Sequence, residues 1–227
     1  MMTVELANRV VLITGASIGI GREIALKFAA EGCRLALTYL EHRAEAEETA
    51  RLCLGLGSPD VLVLPLEATD DDSVREVVEA VDDRFGGVDI LINNAGVVVW
   101  RPFLEQSPGE IEQQLIVNLL GVLKLTWRCL PIVRDAVITI GSGSAMHGTA
   151  TLAPYCASKW GVRGFTKALA LEHPEKRIYA VHPTRTATRM NDFRGEPPER
   201  VAGIVLQVAR GGLELEPGAD VDVRDFP

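Results

Sequence analysis

Tyr155 and Lys159 stand in an i, i+4 relation at the start of an amphipathic stretch, and Ser142 closes the apolar run Ile138-Thr139-Ile140-Gly141 just before them. On a helix that spacing puts the phenol and the ammonium on one face. A free tyrosine has a pKa of about 10 and is a poor base near neutrality, so a neighbouring positive charge is what makes it a usable proton donor and acceptor. A serine hydroxyl is itself both a hydrogen-bond donor and an acceptor. The three residue types together predict proton transfer at an oxygen atom. A Tyr-x-x-x-Lys pair alone is common on helix surfaces, and it is the order and spacing of all three residues that carry this reading. No metal is expected, because Cys33, Cys53, Cys129 and Cys156 fall far apart and form no Cys-x-x-Cys or His/Cys cluster.

A second set lies near the amino terminus, in Thr14-Gly15-Ala16-Ser17-Ile18-Gly19-Ile20-Gly21. Glycine tolerates positive φ and leaves backbone N–H groups bare, so a pyrophosphate can approach the positive end of the helix that follows. Both sets need elements to bring them together. Short β-branched runs at Val10 to Thr14, Arg34 to Tyr39, Val61 to Leu64, Val88 to Asn93, Ala136 to Ile140, Arg177 to Val181 and Ala219 to Val223 predict strands. Helical patterns fall between them at Ile20 to Glu31, Arg43 to Leu54, Asp71 to Phe85, Pro108 to Cys129, Pro154 to Glu172 and Pro198 to Val208. Strands such as Val10-Val11-Leu12-Ile13 are apolar at consecutive positions, as required when helices cover both faces of a parallel sheet. The expectation is an α/β fold: a single doubly wound domain over 1–227 with a seven-stranded, mostly parallel sheet. The glycine turn after strand one then lies at the point where strands one and four part, where ligands bind in such sheets.

The pattern Gly-x-x-x-Gly-x-Gly resembles the cofactor turn of classical short-chain dehydrogenases/reductases, with their Rossmann fold. Further elements agree: Asn93-Asn94-Ala95-Gly96 follows strand four, and Ser142, Tyr155 and Lys159 keep the family's order and spacing. The resemblance implies that Tyr155 is the general acid/base, that Ser142 holds the substrate oxygen, and that Lys159 serves both the phenol and the ribose hydroxyls. Asn118 matches an asparagine that holds a relay water. The same resemblance assigns an NAD(P) cofactor to Gly15, Ser17, Ile18, Gly19, Ile20 and Gly21, with Asn94, Ala95 and Gly96 beside the adenosine ribose. Glu67 and the Ala68 backbone would lie near adenine. Pro183, Thr186 and Thr188 would lie along the nicotinamide, Thr188 at the carboxamide.

Where an NAD enzyme of this family carries an acidic residue after strand two, this chain has Tyr39, with His42 and Arg43 close behind and Glu41 between. NADP(H) is therefore favoured over NAD(H). The chain departs from the family at Thr184, where glycine is usual, and in the brevity of the lid, Met190 to Pro197. The connection Leu130 to Asp135 is short, and the last strand lacks the usual glycine pair. A non-glycine at 184 predicts an altered nicotinamide loop, and the short lid an open site. The expected activity is that of a carbonyl reductase or alcohol dehydrogenase, a 3-oxoacyl reductase being one version. The alternative is a catalytically weak dinucleotide-binding sensor or scaffold, against which the intact Ser142, Tyr155 and Lys159 argue. A sugar-nucleotide epimerase would need a large further domain, for which there is no room.

Composition narrows the partners. A net charge of -8 over 227 residues disfavours nonspecific attraction to nucleic acid or to anionic lipid. No apolar run approaches the ~18 to 20 residues of a membrane span, and Met1-Met2-Thr3-Val4-Glu5-Leu6 lacks the features of a signal peptide. The expectations are a cytoplasmic location, reduced thiols and a small-molecule carbonyl or alcohol substrate. By resemblance, a homodimer or homotetramer forms through helices bearing Leu115, Leu119, Leu123, Trp160, Phe165 and Leu169.

Overall fold

The computed structural model describes residues 4–226; Met1, Met2, Thr3 and Pro227, read above as part of the termini, lie outside the described residues. The seven expected strands are β1 (Val10–Ile13), β2 (Arg34–Tyr39), β3 (Val61–Pro65), β4 (Val88–Asn93), β5 (Val133–Ile140), β6 (Arg177–His182) and β7 (Asp220–Asp222). They form one sheet in the order β3-β2-β1-β4-β5-β6-β7. Every pairing is parallel, so the sheet is wholly rather than mostly parallel. The short connection before strand five is partly strand, because β5 begins at Val133.

Consecutive apolar residues in one strand serve different faces. Val11 and Ile13 pack with α1 (Gly19–Ala30), α2 (Arg43–Leu56) and α7 (Pro198–Ala209). Val10 and Leu12 pack on the other side with α3 (Asp71–Phe85), α5 (Val122–Cys129) and α6 (Ala153–Glu172). Burial of both faces follows from the alternation of side chains along each strand.

The stretch Pro108 to Cys129, expected as one helix, is interrupted. It opens as α4 (Pro108–Leu115) behind a Ser107–Glu110 capping box with Pro108 in the first turn. It then widens into a π-helical turn over Ile116–Gly121 before α5. The cause is a contact with another segment: the Asn118 amide is fully buried and grips Val97 on both sides, Val97 N donating to Oδ1 at 2.7 Å and Nδ2 donating to Val97 O at 2.8 Å. One extra residue in the turn accommodates that inward pull. Such turns recur at functional sites.

At the amino-terminal edge of the sheet the charged residues pair with one another. Asp89 accepts from Val10 N at 2.7 Å and pairs with Arg9 at 3.5 Å. Asp135 receives two hydrogen bonds from Arg177, at 2.8 and 2.9 Å, and Arg177 also donates to the terminal carbonyls Val208 O and Ala209 O of α7.

Candidate active site

The glycine turn sits at the carboxyl end of β1, beside β4. Gly19 has φ +59°, the left-handed region, where a side chain would be strained and would also crowd Thr188. Gly21 allows the closest approach: a Cβ there would drive into the Gly15 carbonyl oxygen and the Asn94 amide. The turn is stitched to the Asn-Asn-Ala-Gly segment through Thr14, whose Oγ1 accepts from Asn94 N and Ala95 N, both at 2.9 Å. Asn94 Nδ2 donates to Thr14 O at 2.9 Å and to Gly15 O at 3.1 Å. Helix α1 starts behind Ile18, which supplies no side-chain cap. Its first-turn N–H groups therefore lack a capping side chain, and a bare glycine-lined helix start of this kind fits the pyrophosphate of a dinucleotide.

The same cavity, about 610 Å³, is lined by Gly15, Gly19, Ser142, Tyr155 and Lys159 together. Its size is that of an ordinary small-molecule site. Strand β5 delivers Ser142 and the first turns of α6 deliver Tyr155 and Lys159. Lys159 is almost wholly buried, its Nζ donates to Ile140 O at 2.9 Å, and it lies 5.8 Å from the centre of the Tyr155 ring. Burial pulls its pKa down to about 8, which leaves the ammonium charged at neutral pH. Burial pushes the Tyr155 phenol up from its ordinary value, and the hydrogen-bonding Ser142 side chain beside it pulls the other way. The arrangement is suited to holding a proton on the phenol and passing it to a bound oxygen.

Ile18, Ile20, Asn94, Ala95, Gly96, Pro183, Thr186 and Thr188 also line this cavity. Others from the sequence reading fall beside or behind it. Asn118 sits one layer back: both of its N–H donors are taken, by Val97 O and by Ser158 Oγ at 3.2 Å. Ser17 is buried in the glycine turn. Tyr39 ends β2, half-buried, and Arg43 is exposed and bound to Glu47 at 2.8 Å. Glu67 turns onto its own loop, accepting from Thr69 Oγ1 at 2.8 Å, and the Ala68 Cβ lies 3.0 Å from where a Cβ of Gly121 would stand.

Thr184 does not take the left-handed angles that glycine allows. It is not among the residues with positive φ, since Gly143 N donates to Pro183 O at 2.9 Å and Thr186 Oγ1 to Thr184 O at 3.0 Å, fixing an ordinary path. The short lid is stitched down as well. Ala187 N donates to Glu196 O at 2.7 Å, Glu196 N to Arg185 O at 2.9 Å and Phe193 N to Thr188 O at 2.8 Å. Gly195, at φ +127°, is what permits this, because a Cβ there would collide with the Arg185 carbonyl.

Sequence reasoning missed several residues. Arg189 reaches back to His42 at 3.4 Å and so joins the corner beyond β2. Trp100 and Arg185 face one another across the cavity mouth, the guanidinium 5.8 Å from the ring centre. His182 and Asp220 lie behind Ser142. Among the described residues no helix is long and apolar enough to cross a membrane, and no group of His, Cys, Asp and Glu is placed to hold a metal ion.

Comparison with known proteins converges on one family. The family model described as short chain dehydrogenase matches residues 9–198. The chain is 35% identical over 175 residues to "Dehydrogenase/reductase SDR family member 7" of Mus musculus, covering 74% of this chain and 52% of that protein. It is 30% identical to "NADPH-dependent aldehyde reductase 1, chloroplastic" of Arabidopsis thaliana, covering 90% and 78%, and 32% identical to "3beta-hydroxysteroid dehydrogenase 1" of Eggerthella lenta, covering 96% and 85%. The chain thus spans about half the length of the first of these relatives. Among solved structures, a short chain dehydrogenase from Burkholderia cenocepacia in complex with NADP superimposes with a TM-score of 0.90 at 27% identity, over 96% of this chain and 97% of that one. Sheet order, glycine turn, the Ser-Tyr-Lys cavity and a family match over most of the sequence therefore agree, and the chain belongs to the short-chain dehydrogenase/reductase family.

Proposed function

We propose that this protein is an NAD(P)-dependent oxidoreductase that interconverts a carbonyl and an alcohol, and that Ser142, Tyr155 and Lys159 carry the chemistry. The observation that bears most weight is their convergence in one cavity with the glycine turn. A bound nicotinamide supplies or accepts the hydride. In the reductive direction Tyr155 gives its proton to the carbonyl oxygen, while the Ser142 hydroxyl donates a hydrogen bond to that oxygen. The Lys159 ammonium stabilises the phenolate left behind, and one of its N–H groups stays anchored on Ile140 O. Asn118 keeps its proposed place as the residue that holds a relay water, with its side-chain N–H groups committed to Val97 O and Ser158 Oγ.

The cofactor reading remains NADP(H) over NAD(H). Tyr39, Arg43 and His42 stand at the ribose corner, and Arg189 adds a cation there. The glycine turn, Asn94, Ala95, Gly96, Glu67, Ala68, Pro183, Thr186 and Thr188 complete the proposed cofactor set. Arg43 is held by Glu47, so Arg43→Ala should raise KM for NADPH by no more than about fivefold, the scale of one exposed charge pair.

For the substrate, Val98, Trp100 and Leu152 offer an apolar wall beside the polar trio. Nicotinamide absorbance should be followed with a panel of ketones, diones and 3-oxoacyl thioesters. Oxidation of NADPH by any member supports the reading, and tight cofactor binding with no turnover on the whole panel would favour a sensor. Assembly as a homodimer or homotetramer is proposed through α4 to α6, where Leu115, Leu120, Trp127 and Trp160 are exposed. Leu169, by contrast, is buried in the core.

A further inference from the structure

Behind Ser142 lies a buried polar chain that the mechanism above does not use. His182, at the end of β6, is fully buried. Its Nε2 lies 3.0 Å from Asp220 Oδ1 on β7, and its Nδ1 lies 3.3 Å from Ser142 N and 3.1 Å from Ser142 O. Asp220 is itself held from α6: Arg163 donates to both carboxylate oxygens at 2.8 to 3.0 Å, and Lys167 pairs with it at 2.9 Å. Gly141 leaves the space the imidazole fills, since a Cβ there would overlap the ring.

A carboxylate accepts hydrogen bonds and cannot donate them, so Asp220 takes the proton-bearing nitrogen and fixes it as Nε2. In the neutral ring Nδ1 is then a lone pair, and of the two Ser142 atoms in reach it can bond only the N–H. If the ring gained a second proton, Nδ1 would instead donate to the Ser142 carbonyl and the N–H would lose its acceptor. The charged groups around the ring are Asp220 and Asp222 on β7, Arg163 and Lys167 on α6, and Arg224, which is tied to Asp222. Burial outweighs Asp220 and lowers the imidazole pKa, keeping the ring neutral near pH 7.

We propose that His182 is a positioning residue for Ser142: a single tautomer, selected by Asp220, fixes the main chain from which the serine hydroxyl meets the substrate oxygen. The inference rests on Ser142 holding that oxygen, as proposed above. A tautomer-selecting carboxylate behind a histidine is a known device for orienting catalytic groups, used here on a neighbour's backbone rather than on the substrate's proton.

The test is a double-mutant cycle on kcat with NADPH and a reducible ketone from the panel, joined to 15N NMR of histidine-labelled protein. His182→Ala and Asp220→Asn should each lower kcat by on the order of 10-fold, the usual scale for groups that orient a reacting residue. Asp220→Asn keeps the shape of the network, so it remains informative if His182→Ala does not fold. His182→Asn, with an amide oxygen near the position of Nδ1, should recover part of the loss. In a Ser142→Ala background neither substitution should matter by more than about twofold. The His182 resonances should report the Nε2–H tautomer in the parent and lose it in Asp220→Asn. Equal losses with and without Ser142, or an Nδ1–H ring in the parent, would overturn the proposal. Unchanged turnover in Ser142→Ala alone would overturn the reading of the site itself, a different failure with a different signature.

Discussion

At the amino-terminal edge of the sheet Arg9, Asp89, Asp135 and Arg177 satisfy one another, whereas at the carboxyl-terminal edge Ser142, Tyr155 and Lys159 line a cavity, and the Lys159 ammonium has no carboxylate partner among the described residues. Both edges hold charge at strand ends. The first uses it to tie β1, β4, β5 and α7 together, and the second leaves an ammonium buried at the expense of stability. Lys159 titrates near 8 in the folded chain against an ordinary 10.5. Between those pH values the unfolded chain binds the extra proton, so stability rises with pH across that window, and below it the penalty is fully present, on the order of 3 kcal/mol. Mutually satisfied charges and the proposed chemistry thus lie at opposite ends of β1, β4 and β5.

The sharpest way to break this contrast is Tyr155→Phe. It should lower kcat by about 10²- to 10⁴-fold, the range for a lost general acid, with cofactor affinity and melting temperature nearly unchanged; a parallel fall in melting temperature would make Tyr155 a structural residue. Lys159→Met should lower kcat by at least about 100-fold and weaken cofactor binding. Its thermal midpoint at pH 7 should be no lower than the parent's, because a buried charge is removed even though Ile140 O loses its donor. A clearly lower midpoint would mean that the ammonium holds the fold.

The pH dependence sharpens the comparison further. With the phenol pushed upward by burial, reduction should hold its rate through neutral pH and fall as pH rises through the tyrosine's pKa, while oxidation should rise over the same range. Profiles of the same slope in both directions would remove Tyr155 as the proton donor. The smallest effect on turnover belongs to the opposite edge. Asp135→Asn should lower unfolding free energy by about 1–3 kcal/mol and leave kcat within twofold of about the parent value, measured by urea denaturation and steady-state assay.

The sequence made some of this legible and hid the rest for physical reasons. Gly15, Gly19, Gly21, Asn93 to Gly96 and the Tyr155/Lys159 pair could be read because each set consists of neighbours in the chain, so spacing encodes geometry. The strands could be read because two covered faces demand unbroken apolar runs. The widened turn at Ile116–Gly121 could not, because its cause is Asn118 reaching a backbone in another segment. His182 and Asp220 likewise meet only through the pairing of β6 with β7. At Thr184 the residue type, which disfavours glycine's angles, agrees with the path the loop takes.

The brevity of the segment after Thr188 has its own kinetic meaning. Three main-chain bonds fasten it to the strand of loop that would cover the nicotinamide, and Gly195 brings the two backbones into van der Waals touch. Cover and floor are joined directly by main-chain bonds. With substrate and cofactor placed as proposed above, both would lie against this one bonded piece, and a substitution that breaks its bonds should raise the release rates of both, which stopped-flow measurement checks.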